Sequence, residues 1–234
     1  MSAHPEVKTV EDFKQQPDEY QDAVRKIVRS HALNELYGAQ VFDEPAIALA
    51  PNPYAKWLTC RVAMEEYHHH VRFRTLADEI GVKPEEMDTR NKRPLNIFMF
   101  PLKTWAEFCV IKMLGDLAEI LQVEDLLHCS FVPLRNLART TMPEEKFHAQ
   151  FGKDFCAELM KTPEGKRAVQ DMVNRFYPEA PLFFGASASK NNELYRKYGI
   201  KQRKNEDSRA DYINRANAVL ESLGLEAPDI AAAA

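Results

Sequence analysis

Apolar residues recur every three or four positions through most of this chain, and the recurrence stops at prolines and polar clusters. The spacing predicts a first long helix over about 19–42, ended by "DEPAIALAPNP", whose three prolines mark a connection. Asn52 before Pro53 has the form of an N-cap followed by proline at the first helical position, opening a second helix that ends near Gly81. A polar segment, "VKPEEMDTRNKRP", and an apolar one, "LNIFMFPL", lead to Thr104 and Glu107, which spell a capping box for a third helix reaching about Val123. A fourth helical region, about 124–160, contains Pro133 and Pro143, and a break or kink is expected at each. Thr162 with Pro163 starts a further helix to about Tyr177, and a last helix spans about 208–223. Glycines number only 8, and Asn-Gly and Asp-Gly hairpin signals are missing, so the pattern is all-α. It is read as a single domain over 1–234, with a four-helix core bundle at about 19–160 and a C-terminal helical extension at about 162–225.

Four of these stripes are interrupted by ionisable residues. On the second helix Leu58, Val62, His69, Phe73, Leu76 and Ile80 make one inward face, and its gap is filled by Glu65 and Glu66. A 100° wheel turns His69 inward and His68 and His70 away. On the first helix Val24, Val28, His31, Glu35 and Phe42 share a face; on the third, Cys109, Met113, Asp116 and Ile120 do. On the fourth, Leu134, Leu137, Phe151 and Phe155 bracket Glu144, Glu145 and His148.

Composition excludes several functions. At 234 residues and 45% apolar the chain can bury a sizeable core. Lysine and arginine total 31 against 35 acids, a formal charge of −4, which offers no basic stripe for nucleic acid. Cys60, Cys109, Cys129 and Cys156 are far apart with no Cys-x-x-Cys, the pattern of apolar fillers rather than of a zinc or iron–sulfur site. No run approaches membrane-span length, and the start has no signal-peptide core, so a cytoplasmic protein without a membrane role is expected.

An isolated glutamate on a helix is usually solvated, and one Glu-x-x-His match carries little weight. Four helices interrupted together are different. Burying a carboxylate costs on the order of several kcal/mol, so four unpaired ones would exceed the typical net stability of a domain, about 5–15 kcal/mol. Few basic side chains share those faces; the nearest is Lys112, one turn before Asp116 and expected to pair with that residue alone. Metal ions would supply the missing charge. One carboxylate from each of two helices plus Glu-x-x-His from each of two others is the donor set of di-iron and di-manganese bundles. The three-residue spacing puts glutamate and histidine on one face, which assigns Glu35, Glu66, His69, Asp116, Glu145 and His148. The wheel leaves Glu65 and Glu144, at four-residue spacing, open as alternative ligands; their other place is around the ligands or at the surface. His31 is expected beside the ligands or in the core, and His128 at the surface. Phe108, Met113 and Phe151 would wall a substrate pocket or, more simply, pack the core. With no Gly-x-Gly-x-x-Gly and no cysteine cluster, reducing electrons would come from another protein.

"VRSHALNELYGAQ", "RVAMEEYHHHVRFRTLADEIG", "FPLKTWAEFCVIKMLGDLAEI", "EEKFHAQFG" and "VNRFYPEAPLFFG" occur in this order. Together they resemble the catalytic subunits of the ring-1,2-phenylacetyl-CoA epoxidase family, over most of the chain. The resemblance implies a ferritin-like fold, two iron ions (manganese being the alternative) held by the six residues above, and an O2-dependent monooxygenase acting on an aromatic acyl-CoA. The implied partners are a flavin/iron–sulfur reductase, a small coupling protein and a related ferritin-like non-catalytic subunit, with a homo-oligomer as the alternative to the last. Competing readings are an oxidase or peroxidase of a small substrate and a non-catalytic scaffold. Two positions depart from the family's pattern: Pro143, expected to kink the fourth helix at the site, and Lys112, standing where a small residue is usual and expected to alter the pocket or bind a substrate anion.

Overall fold

The computed structural model describes residues 4–89 and 96–229. Its helices are α1 (Val10–Lys14), α2 (Asp18–Gly38), α3 (Glu44–Leu49), α4 (Pro53–Glu79), α5 (Trp105–Leu126), α6 (Val132–Leu159), α7 (Pro163–Phe176), α8 (Lys190–Lys197) and α9 (Asn205–Ser222). Extended pairing among the described residues is limited to one isolated bridge between Val7 and Phe131. α2 packs on α4, α5 on α6, and α4 also meets α6. A long connection separates α4 from α5, the single crossover of ferritin-like bundles. The chain is an all-α ferritin-like bundle, with α7 and α9 laid against α5. The end of the polar segment expected after Gly81, residues 90–94, and the first residue of the apolar one, Leu95, lie outside the described residues.

The local signals act where the sequence places them. Asn52 Oδ1 accepts from the Ala55 N–H at 2.9 Å and starts α4. Thr104 and Glu107 close a reciprocal capping box on α5, and Arg175 of α7 donates to the buried Glu107 carboxylate at 2.8 Å.

The prolines behave differently from expectation. The first helix does not stop at the proline-containing segment: α2 runs on through a π-helical turn, Ala39–Asp43, into α3, whose first turn holds Pro45 where no N–H partner is needed. Pro133 likewise sits in the first turn of α6 rather than at a break within a helix. The break lies earlier, between Leu126 and Val132. Pro143 stays inside an uninterrupted α6. It lies on the exposed face, and the carbonyl it leaves without an N–H donor belongs to Arg139, also an exposed residue, so the lost bond falls on the solvent side of the helix.

The core divides into two apolar blocks. Val62, Met113 and Phe151 belong to one, together with Phe42; Phe73, Ile120, Met142 and Val28 belong to the other. Along α4, α5 and α6, and along α2 continued through its π-helical turn, Glu35, Glu66, His69, Asp116, Glu145 and His148 fall between a member of one block and a member of the other, so they form a layer across the bundle. Beside that layer α5 and α6 touch backbone to backbone. A Cβ on Gly152 would fall 2.3 Å from the Met113 nitrogen and 2.7 Å from the Cys109 oxygen, a separation only glycine permits.

Candidate metal centre

The polar layer brings all six sequence-derived candidates together. Glu35, Glu66, His69 and Glu145 place one donor atom each within 4.8 Å of one another, and Glu66, Asp116, Glu145 and His148 do the same. Glu66 and Glu145 belong to both groups, so they stand between two adjoining positions, each with four donors. His69, Glu145 and His148 are at most 1% exposed, Glu35 and Glu66 are 6%, and Asp116 is 9%.

The first glutamate of each Glu-Glu-x-x-His motif serves the opposite helix. Glu144 of α6 takes His69 Nε2 of α4 at 2.8 Å, and Glu65 of α4 takes His148 Nε2 of α6 at 2.9 Å. A carboxylate only accepts, so each Nε2 carries the proton and each Nδ1 is turned to the interior. There, His69 Nδ1 lies 3.0 Å from Glu145 and His148 Nδ1 lies 3.0 Å from Glu66, without hydrogen-bond alignment. Glu65 and Glu144 are in turn held by Arg61 at 2.9 Å and Arg72 at 2.8 Å, which neutralise them from outside. The alternative of Glu65 and Glu144 as ligands is therefore not what this geometry favours. Replacing either by alanine should free a histidine ring and weaken metal binding about 10- to 100-fold, measurable by competition with a chelator, while every inner donor remains.

The family model for phenylacetic acid catabolic proteins matches residues 1–234. The chain belongs to that family. It is also 28% identical over 221 residues to one component of 1,2-phenylacetyl-CoA epoxidase from Escherichia coli (strain K12), a stretch covering 91% of this chain and 71% of that protein.

Burial governs the electrostatics of the polar layer. It pushes the carboxyls of Glu35, Asp116 and Glu145 above the ordinary range, and that of Asp43 up to about 6. Glu66 goes the other way. Burial opposes its charge too, but the Lys112 ammonium and the His148 ring outweigh it. Burial and Lys112 work against a charged His148, yet Glu65 and Glu66 hold that ring up to about 10; His69 is raised still further, Glu145 and Glu35 overcoming burial. Raised carboxyls and the Lys112 ammonium thus both limit the negative charge of the layer.

The donor chemistry suits a di-metal pair. Carboxylate oxygens and imidazole nitrogens fit iron or manganese rather than a thiophilic ion. His69 Nδ1, His148 Nδ1 and Glu145 Oε1 are buried without a hydrogen-bond partner among the described residues. Unsatisfied donors and acceptors converging from different helices need a shared partner.

Sequence reasoning missed three features. Asp43, 1% exposed, lies in the π-helical turn, where the sequence reads as the start of a connection. Glu119 joins His31 and Glu35 in a further group beside the first. By the family resemblance Lys112 is expected to alter the pocket or bind a substrate anion, and it does line a cavity over the carboxylates; the helical wheel pairs it with Asp116 alone. Instead its Nζ lies 2.6 Å from Glu66, 2.8 Å from Asp116 and 3.3 Å from Asp43, because a four-carbon stem reaches beyond the face a wheel assigns to it. Among the histidines, His31 is buried and stacked on Phe73, while His68 and His128 are exposed. His70 is half-buried and bonded to the Ala32 carbonyl at 2.7 Å, not wholly outward.

A cavity of about 320 Å³ opens between α2 and α5 onto Glu35, Glu66, Asp116 and Glu145. Its apolar wall is Phe42, Ile97, Phe98, Ile111, Phe183 and Phe184. Phe108, Met113 and Phe151 do not line it; they pack the core block behind the α5–α6 contact. No helix among the described residues is long and apolar enough to cross a membrane.

Proposed function

We propose that the chain is the oxygen-activating subunit of a multicomponent aromatic acyl-CoA ring epoxidase, with a phenylacetyl-CoA-like substrate. The observation that carries this is the pair of four-donor groups sharing Glu66 and Glu145, in a chain similar to an epoxidase component. Glu35, Glu66, His69, Asp116, Glu145 and His148 would hold two iron ions, with manganese as the alternative. Bound there, the metals supply reduction of O2 and oxygen transfer to an aromatic ring.

The chain's own residues supply the rest. Glu144 and Glu65 fix the two imidazoles and their proton positions. The cavity meets the carboxylates from the α2–α5 side, away from the arginine-capped α4–α6 side, and its phenylalanines and isoleucines offer a ring an apolar wall within an otherwise polar lining. Electrons would come from a flavin/iron–sulfur reductase with a small coupling protein, since the sequence has neither a dinucleotide fingerprint nor clustered cysteines. A related ferritin-like subunit, or a second copy, would complete the assembly, and the free thiols suit the reducing cytoplasm.

Anaerobic metal loading and reduction in the presence of phenylacetyl-CoA, followed by admission of O2 for a single turnover, tests this reading. About two ions per chain and an oxygenated thioester are expected. Metal uptake without binding of any acyl-CoA would leave a small-substrate oxidase, and no metal uptake would leave a scaffold.

A further inference from the structure

Lys112 is 3% exposed and surrounded by carboxylates, and the two donor groups differ in their relation to it. Its Nζ touches Glu66 Oε1 at 2.6 Å and Asp116 Oδ2 at 2.8 Å, both members of the group completed by Glu145 and His148. Among the described residues, the group of Glu35, Glu66, His69 and Glu145 has no lysine or arginine contact except through the shared Glu66. The ammonium thus stands where a cation bound between Glu66 and Asp116 would stand, and only in one of the two positions. Its third contact is Asp43 Oδ1 at 3.3 Å, a buried carboxylate that belongs to neither group.

Charge balance gives Asp43 a purpose. The buried part of the layer holds five carboxylates, Glu35, Asp43, Glu66, Asp116 and Glu145; Glu65 and Glu144 are matched from outside by Arg61 and Arg72, and Glu119, a quarter exposed, faces the His31 ring at 3.4 Å. Two divalent ions and one ammonium match those five negative charges. Two ions alone would leave Asp43 unpaired in the interior, which burial makes costly.

Resting on the di-metal reading above, we propose that Lys112 is a built-in counter-cation that occupies the second metal position and is displaced onto Asp43 when the second ion enters. Loading is then ordered. The first ion enters the position of Glu35 and His69, and the second must push an ammonium from two ligands before it can bind Asp116 and His148.

Calorimetric titration of the full chain with Mn(II), with bound metal counted by elemental analysis, tests this. The native chain should take up two ions in unequal steps. Lys112→Met should tighten the second ion on the order of tenfold or more, and Asp43→Asn, which removes the place the ammonium moves to, should weaken that ion by a similar factor. In both variants the first ion should shift much less. The metal-free Lys112→Met chain should also melt lower than the native one and gain more from metal. Equal shifts of both ions would reduce Lys112 and Asp43 to a general field effect and overturn the inference, as would a second step in Lys112→Met that superposes on the native one. Those outcomes leave two ions bound and the di-metal reading intact, whereas no metal uptake by the native chain overturns both.

Discussion

Replacing Glu145 by alanine should strip both metal ions from the chain, whereas replacing Asp116 should strip only one. Glu145 contributes a donor atom to each four-membered group and lies within 3.9 Å of both histidine Nδ1 atoms. Without it each position keeps three donors, loses a bridging charge and brings two divalent ions together with one carboxylate fewer between them. Asp116 belongs to one group alone, so its loss leaves Glu35, Glu66, His69 and Glu145 complete. Elemental analysis should therefore read about two ions per native chain, about one for Asp116→Ala and near zero for Glu145→Ala, with substrate oxidation at background in both variants. The fold should survive. The removed carboxyl is one that burial already disfavours as an anion, and circular dichroism should show a native-like helical spectrum. Two ions retained by Glu145→Ala would mean that it bridges nothing.

Much of this centre was legible because helical periodicity is a strict rule. Glu35, Glu66, Asp116 and Glu145 each interrupt an apolar stripe, and burial of all four follows from the stripes alone. The capping signals at Asn52, Thr104 and Thr162 likewise act through short backbone contacts that a sequence states directly. What escaped has the opposite character. The exchange of Glu65 and Glu144 across to the other helix's histidine depends on how α4 and α6 face each other, which no single-helix wheel contains. Asp43 is turned inward by a π-helical turn, an extra residue per turn that shifts the helix phase after Ala39. Pro45 reads as a stop and Pro143 as a break or kink, yet Pro45 falls in a first turn where no N–H partner is needed and Pro143 stays inside one helix with its exposed side to solvent. Flexible reach hid Lys112, whose head group meets residues of other helices that its Cα direction does not indicate.

Thermal stability should slope in opposite directions with pH in the metal-free and metal-loaded chain. His148 is held up to about 10 against an ordinary 6.5, and Asp43 is pushed up to about 6 against an ordinary 3.8. A group whose folded value is raised binds its proton more tightly in the native state, so its contribution is full below the unfolded value and disappears as pH climbs through the folded one. For Asp43 that window lies between about 4 and 6, and for His148 between about 6.5 and 10; the raised carboxyls of Glu35, Asp116 and Glu145 act in the same sense. Glu66 and its neighbour Glu65 oppose, and their contribution is lost on the acid side. From pH 6.5 to 9 the loss through His148 is on the order of 3 kcal/mol, or roughly 10 °C in melting temperature for a chain of this size. Metal ions held by the proposed ligands would reverse the sign, because such ligands bind only when deprotonated, so alkali would strengthen the site and the native state with it. Melting curves recorded with chelator and with excess Mn(II) should therefore diverge steadily above pH 6.5. A metal-free chain that melts higher at pH 9 than at pH 6.5 would contradict the arrangement in which Glu65 and Glu66 share a charged His148 ring.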